Sequence, residues 1–389
     1  METVAGSPVR RLLIVDGHAY AYRAFHAIRQ LTSPAGAPTN AIYGFIKMLG
    51  KLRARLEPER RGAGEAERRR IGEPAACPPS GSFSHSPTPR LADSPTRRLP
   101  DSPRLRVTVV WDGGLAAERL AALPGYQAQR APLPPELVPP LDGIGEYLKA
   151  AGIASCCYEG VEADDWIATL ARAGVEAGLS VVIASSDKDF MQLVSPCVGL
   201  FNPNDKSETV WGAEQVFAKA GVQPGQVVDW LSLVGDAVDN IPGVPGVGTK
   251  TAAELLGQFG SVAELFTRLH EVRSEKLRAA LQAARETVHR NQQLIRLQDG
   301  LPGSVRLEDS VPRPPNDEQL RVLYARWGFK SLLAELGPAC AGHGDTETRR
   351  RGDAERQRIG ETENQGTGES GAVLPRRLAD SAAQQGELF

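Results

Sequence analysis

Apolar residues fall into short β-branched runs separated by helical repeats. Three of those runs end in acid: Arg11-Leu-Leu-Ile-Val-Asp16, Val107-Thr-Val-Val-Trp-Asp112 and Ser180-Val-Val-Ile-Ala-Ser-Ser-Asp187-Lys188-Asp189. Runs of this kind, interleaved with helical patterns, predict parallel strands of an α/β sheet. Strands are expected at 10–16, 107–112, 153–158 and up to 187, with a further short apolar segment at 198–201. Helical spacing recurs at 40–53, through Ile42, Phe45, Ile46, Leu49 and Leu52, and again at 135–151. From Trp211 onward the pattern is mostly helical.

Acid is also concentrated in Glu162-Ala163-Asp164-Asp165-Trp166, at the start of an amphipathic helix. An acidic first turn has an ordinary explanation, because free N–H groups and the helix dipole favour negative charge there. The strand-end aspartates add a second one. Ligands of open α/β sheets gather at the carboxyl ends of strands, and carboxylates crowded into one crevice raise each other's pKa unless a cation joins them. The pattern therefore predicts a metal site.

Asp236 and Asp239 stand three apart in Leu233-Val-Gly235-Asp236-Ala-Val-Asp239-Asn240-Ile-Pro242-Gly243-Val-Pro245-Gly246-Val-Gly248-Thr249-Lys250, which on a helical turn places both on one side. The Pro/Gly run predicts a tight turn into a helix near Thr249. Its glycines would let backbone N–H groups approach a phosphate, with Lys250 adding charge. An ordinary glycine turn between helices is the alternative.

Composition changes the picture in two places. Residues 53–106 and 338–389 are rich in Pro, Ser, Arg and Gly or in polar residues, and are read as disordered. They share short stretches: Arg90-Leu-Ala-Asp-Ser94 equals Arg377-Leu-Ala-Asp-Ser381. The first is an insertion between a helix and a strand, or an Arg-rich arm for DNA. A net charge of −2 shows no overall basic excess, although local basic stripes bind phosphate whatever the total. The five cysteines form no CxxC pair, which argues against a disulfide framework or zinc site and fits a reducing cytosol. No signal-peptide core or apolar run of membrane length is present, so a soluble intracellular protein is expected, with no membrane partner.

With these residues assembled, the chain resembles the 5′-nuclease (flap endonuclease) family, most closely the 5′→3′ exonuclease domain that heads bacterial DNA polymerase I. The likeness runs over 9–52 and 106–337. It is carried by Val15-Asp16-Gly17-His18, Tyr22-Arg23-Ala-Phe25-His26, Tyr43-Gly44-Phe45, Gly160-Val-Glu162-Ala-Asp164-Asp165, Ser186-Asp187-Lys188-Asp189, and Gly235-Asp236 with Asp239-Asn240-Ile-Pro242-Gly243. The resemblance implies an α/β fold: a PIN-like nuclease domain over 9–210 with a central, mostly parallel sheet and a helical arch, then a mostly helical part over 211–337 containing a helix–hairpin–helix. It implies metal-site carboxylates at Asp16, Asp112, Glu162, Asp164, Asp165, Asp187, Asp189, Asp236 and Asp239. All are oxygen donors, which favours Mg²⁺ or Mn²⁺. The implied reaction is hydrolysis of a phosphodiester near a 5′ end by two ions, one activating water and the other stabilising the leaving 3′ oxygen.

The implied substrate is duplex DNA with a 5′ flap, nick or gap. Contacts are carried to Tyr22, Arg23, Arg119, Tyr126, Gln127 and Arg130, and, in the helix–hairpin–helix with its K⁺ in some members, to Gly243, Gly246, Gly248 and Lys250. Two departures stand out. The family usually has Lys where this chain has Gln127, so a cation at the scissile phosphate is missing, and Ala237-Val238 is more apolar than usual. No polymerase domain follows within these 389 residues, so a free-standing nuclease, or one meeting a DNA polymerase in trans, is expected in the bacterial cytoplasm at the nucleoid. At the extreme tail, Gln385, Leu388 and Phe389 resemble the short peptides by which bacterial DNA enzymes dock on the sliding clamp. Rival readings are a DNA-structure-binding protein with little cleavage and a PIN-type ribonuclease.

Overall fold

The computed structural model describes residues 10–57, 105–129, 132–301 and 307–337. Its sheet has the order β3-β2-β1-β4-β5-β6. The strands are β1 Arg11–Asp16, β2 Leu105–Trp111, β3 Ala154–Cys157, β4 Ser180–Ala184, β5 Val198–Phe201 and β6 Val210–Trp211. All neighbouring pairs are parallel except β5 with β6.

Alternation along the central strands sorts their side chains into two cores. Leu12 and Ile14 of β1, with Val181 and Ile183 of β4, face one core; Leu13 and Val15, with Val182 and Ala184, face the other. Burial on both faces is why these strands read as unbroken apolar runs. The second core is closed by α1 Gly17–Ala27, α2 Asn40–Leu56, α4 Val138–Ala150, α12 Asp317–Trp327 and α13 Lys330–Glu335. The first is closed by α5 Ala163–Glu176, α6 Ala213–Ala220, α7 Val227–Val234, α8 Thr249–Phe259, α9 Val262–Thr267, α10 Glu275–Ala283 and α11 Arg285–Ile295. Packing therefore does not follow a division at 211, because α12 and α13 cross back to the face of the sheet that carries α2 and α4.

The insertion is narrower than 53–106. Helix α2 continues to Leu56 and β2 begins at Leu105, because Leu56 and Leu105 both bury in the second core. Residues 58–104 and the tail from 338, with Gln385, Leu388 and Phe389, lie outside the described residues. Cys156 and Cys157 are free thiols. No helix of the described residues is long and apolar enough to cross a membrane.

Candidate metal and nucleic-acid site

The site begins where β1 ends. Asp16 is both the last residue of the strand and the N-cap of α1: its Oδ1 accepts the Ala19 N–H at 3.0 Å, and its Oδ2 accepts the Ser185 hydroxyl at 2.7 Å. Strand and helix meet without a loop because Gly17 presents no side chain; a Cβ there would lie 2.6 Å from the Trp111 ring. Asp112 follows β2, and its backbone N–H donates to His18 Nδ1 at 3.2 Å. Asp187 and Asp189 follow β4, in a turn closed by Ser185 Oγ accepting the Asp187 N–H and Asp187 Oδ1 accepting the Asp189 N–H.

The nine predicted carboxylates fall into three groups. Asp16, Asp112, Asp164 and Asp187 interact across the strand ends. Burial, opposed by its two hydrogen bonds and reinforced by the charges of Asp187 and Asp112, pushes the Asp16 carboxyl up to about 6. Burial and the charges of Asp187, Asp16, Asp189 and Asp112 hold Asp164 well above the usual range. Asp189, Asp236 and Asp239 form the second group, the one trio among the described residues whose ligand atoms all lie within 4.8 Å of one another. Asp189 is 9% exposed, and its Oδ1 is buried with no hydrogen-bond partner. A buried acceptor without a donor costs free energy that a hard cation would recover, so this all-oxygen set fits a divalent metal.

Asp236 and Asp239 do not sit on a helical turn as their spacing predicts. They lie on a loop closed by Asp236 N–H to Ile241 C=O at 2.8 Å and the reverse bond at 2.7 Å, with Gly235 at φ 81° and Asn240 at φ 55°.

Glu162 and Asp165 form the third group, tied to Arg119. Arg119, expected to contact DNA, is 5% exposed: it donates both guanidinium nitrogens to Asp165 at 2.8 Å, pairs with Glu162 at 2.8 Å and donates to Leu294 C=O at 3.0 Å. Burial works against its charge, but Asp165 and Glu162 more than offset this and raise its pKa. Asp165 also accepts the Gln298 N–H at 2.9 Å. The expected arch is short: α3 Ala117–Ala122 and a turn to residue 129 fold down on these carboxylates. Tyr126 is buried and donates to Glu162 at 3.2 Å, and burial followed by the charges of Glu162 and Asp239 raises its pKa. Gln127, at φ 55°, gives its side-chain amide to the Tyr126 hydroxyl at 3.2 Å and its backbone N–H to Asp239 C=O at 3.1 Å. Arg130 lies outside the described residues.

The other predicted contacts divide by exposure. Tyr22 is 48% exposed with its ring 4.5 Å from that of His26, and Arg23 donates to the Asn204 side chain. Gly246, Gly248 and Lys250 are exposed at the start of α8, where a phosphate can approach. Gly243 has a different cause: a Cβ there would lie 2.0 Å from Val234 C=O, so it is a close-packing glycine.

The described parts agree with two family models. The 5′-3′ exonuclease N-terminal resolvase-like domain matches residues 11–63 and 96–221, and the 5′-3′ exonuclease C-terminal SAM fold matches 222–318. The chain belongs to the 5′-3′ exonuclease family. Among its relatives, the 5′-3′ exonuclease of Aquifex aeolicus is 32% identical over 84% of this chain and 96% of its own. DNA polymerase I of Bacillus caldotenax is 31% identical over 84% of this chain and 32% of that protein, and the thermostable enzyme of Thermus thermophilus is 34% identical over 85% and 34%. The chain thus spans about a third of these polymerases. In fold it is similar to a bacteriophage T5 flap endonuclease solved with DNA and metal ions, at TM-score 0.50, 20% identity and coverage of 82% of this chain and 100% of that one.

Around this site, the sequence pattern missed three residues that shape it. His18 braces Asp112 through its backbone N–H, Ser185 bridges Asp16 and Asp187, and Lys188 reaches Asp236 at 2.9 Å. Lys188 adjoins two predicted aspartates and His18 lies two positions after Asp16, while Ser185, fully buried between an apolar strand and Asp187, is a small polar residue whose position calls for a partner.

Proposed function

We propose that this chain hydrolyses DNA phosphodiesters near a 5′ end, as a structure-specific 5′→3′ exonuclease and flap endonuclease dependent on Mg²⁺ or Mn²⁺. The observation that carries this reading is the unpartnered, buried Oδ1 of Asp189 within the Asp189–Asp236–Asp239 trio, beside a second acidic group at the sheet's strand ends. Asp16, Asp112, Asp164 and Asp187 would hold one cation and the trio the other. Glu162 and Asp165 would shape the site through Arg119. A bound divalent cation supplies Lewis acidity at the phosphate and an activated water. Tyr22 offers an exposed aromatic face for a base, and the start of α8, with Lys250 and a K⁺ ion, offers a seat for the duplex backbone.

The test is cleavage of a 5′-labelled flap duplex with and without Mg²⁺, comparing the native chain with Asp187→Ala and Gln127→Lys. Cutting that needs the metal, disappears in the first variant and quickens in the second is expected. Tight binding without cutting in all of them would instead mark a DNA-structure-binding protein, and preference for RNA over flap DNA would mark a ribonuclease. On sequence alone, Gln385, Leu388 and Phe389 are proposed to tether the enzyme to a sliding clamp, and through it to a polymerase in trans, at the nucleoid. Deleting 385–389 should abolish clamp binding; undiminished binding rejects the tether.

A further inference from the structure

We propose that Lys188 is the protein's own counter-cation for Asp189, Asp236 and Asp239, holding the trio together before metal arrives and competing with a divalent cation for Asp236. The inference rests on the metal-dependent reading and deepens it. Lys188 sits between Asp187 and Asp189, and its Nζ lies 2.9 Å from Asp236 Oδ2. The other oxygen of Asp236 accepts the Val238 N–H at 3.0 Å. Both oxygens of a nearly buried carboxylate are therefore engaged by donors, and a cation that draws on Oδ2 must share it with Lys188 or displace it.

Charge explains why such a residue is needed. Three carboxylates whose oxygens lie within 4.8 Å repel one another, and Lys188 brings a positive charge to 2.9 Å from one of them. Asp189 feels this directly: burial, then Asp187, Asp239 and Asp236, push its carboxyl up, and Lys188 pulls it back. For Lys188, partial burial works against the charge, yet Asp236, Asp189 and Asp187 hold its ammonium above the ordinary range. The lysine side chain is 40% exposed, so its flexible stem can swing to solvent when a metal takes its place. The turn that carries it is closed by Asp187 and Ser185 and does not depend on the lysine.

The experiment measures Mn²⁺ binding without DNA by isothermal titration calorimetry, and thermal unfolding in EDTA, for the full chain and for Lys188→Met and Lys188→Arg. Lys188→Met should bind Mn²⁺ about tenfold more tightly, the scale of removing a unit charge a few ångströms from a ligand oxygen in a partly solvated site. It should also unfold at lower temperature in EDTA, with the gap closing at saturating Mn²⁺, while Lys188→Arg stays near the native values. Equal or weaker Mn²⁺ binding by Lys188→Met, with the native chain binding normally, overturns this inference and leaves the nuclease reading intact. Absence of Mn²⁺ binding by all three proteins overturns both.

Discussion

Replacing Arg119 with alanine separates two roles that cannot both dominate: an arm for DNA phosphate, as its sequence neighbourhood predicts, or an internal tie. Arg119 is 5% exposed, and the substitution would strand Asp165 at 2% exposure and Glu162 at 5%, while freeing the C=O groups of Leu294 and Arg296. Removing one partner of a buried ion pair costs about 3–5 kcal/mol, because the remaining charge stays buried. In a domain of this size that corresponds to a fall of roughly 10 °C in Tm. The assay is urea and thermal unfolding of Arg119→Ala, Asp165→Asn and the double variant in EDTA. If the pair is the tie, the double variant loses less than the sum of the singles, by roughly 1–3 kcal/mol. A loss below about 1 kcal/mol in Arg119→Ala, with DNA affinity falling instead, would refute the reasoning and return the guanidinium to the phosphate.

The Asp16 carboxyl, raised from 3.8 to about 6 in the folded chain, binds its proton more tightly than in the unfolded chain. Its contribution to stability is therefore full below pH 3.8, declines as pH rises, and is gone above about 6; the fall is on the order of 3 kcal/mol. Unfolding measured in EDTA between pH 5 and pH 8 should show the native chain losing stability relative to Asp16→Asn as pH rises, and a difference of opposite slope rejects the assignment. Gly243→Ala should cost more than about 2 kcal/mol, since its methyl group would meet backbone rather than a flexible side chain. Urea unfolding within about 0.5 kcal/mol of the native chain would show that the loop yields freely.

The central strands and the acids at their ends were legible because burial on both faces leaves a continuous apolar run, and a run that stops at aspartate marks where the sheet meets solvent. What the run could not say is which of Leu12 and Leu13 faces which core. The acidic helix start was over-read in one respect that geometry would have corrected: Asp164 and Asp165 are adjacent on a helix, so they point about 100° apart and cannot serve one crevice equally. In the structure Asp164 faces the strand-end carboxylates and Asp165 faces Arg119. The Arg119–Asp165 pair was beyond reach because its partners are 46 positions apart and nothing local to Arg119 distinguishes a buried guanidinium from a free one. The Asp236–Asp239 spacing suggested a helical turn, but Gly235 and Asn240 at positive φ close a bridged loop that brings both carboxylates to Asp189 by another route.

These contacts locate the acidic trio on a seam. Asp189 comes from the strand side, whereas Asp236 and Asp239 come from the loop after α7. The same seam is crossed by Lys188 to Asp236, by the Gln127 N–H to Asp239 C=O, by the Asn240 side chain to Gly125 C=O at 2.7 Å, and by Arg119 to Leu294 C=O. Three of these four ties end on, or next to, Asp236 or Asp239. Cation binding and docking of the helical part onto the sheet must therefore favour each other, because a ligand that binds only the assembled arrangement stabilises it by mass action. The segment from Arg119 to Gln127 is drawn into the same linkage, since its latch points are Glu162, Asp165 and Asp239. Whatever displaces that segment alters the surroundings of the acidic site, so a ligand that moves it and a cation held by the carboxylates would be coupled reciprocally through it.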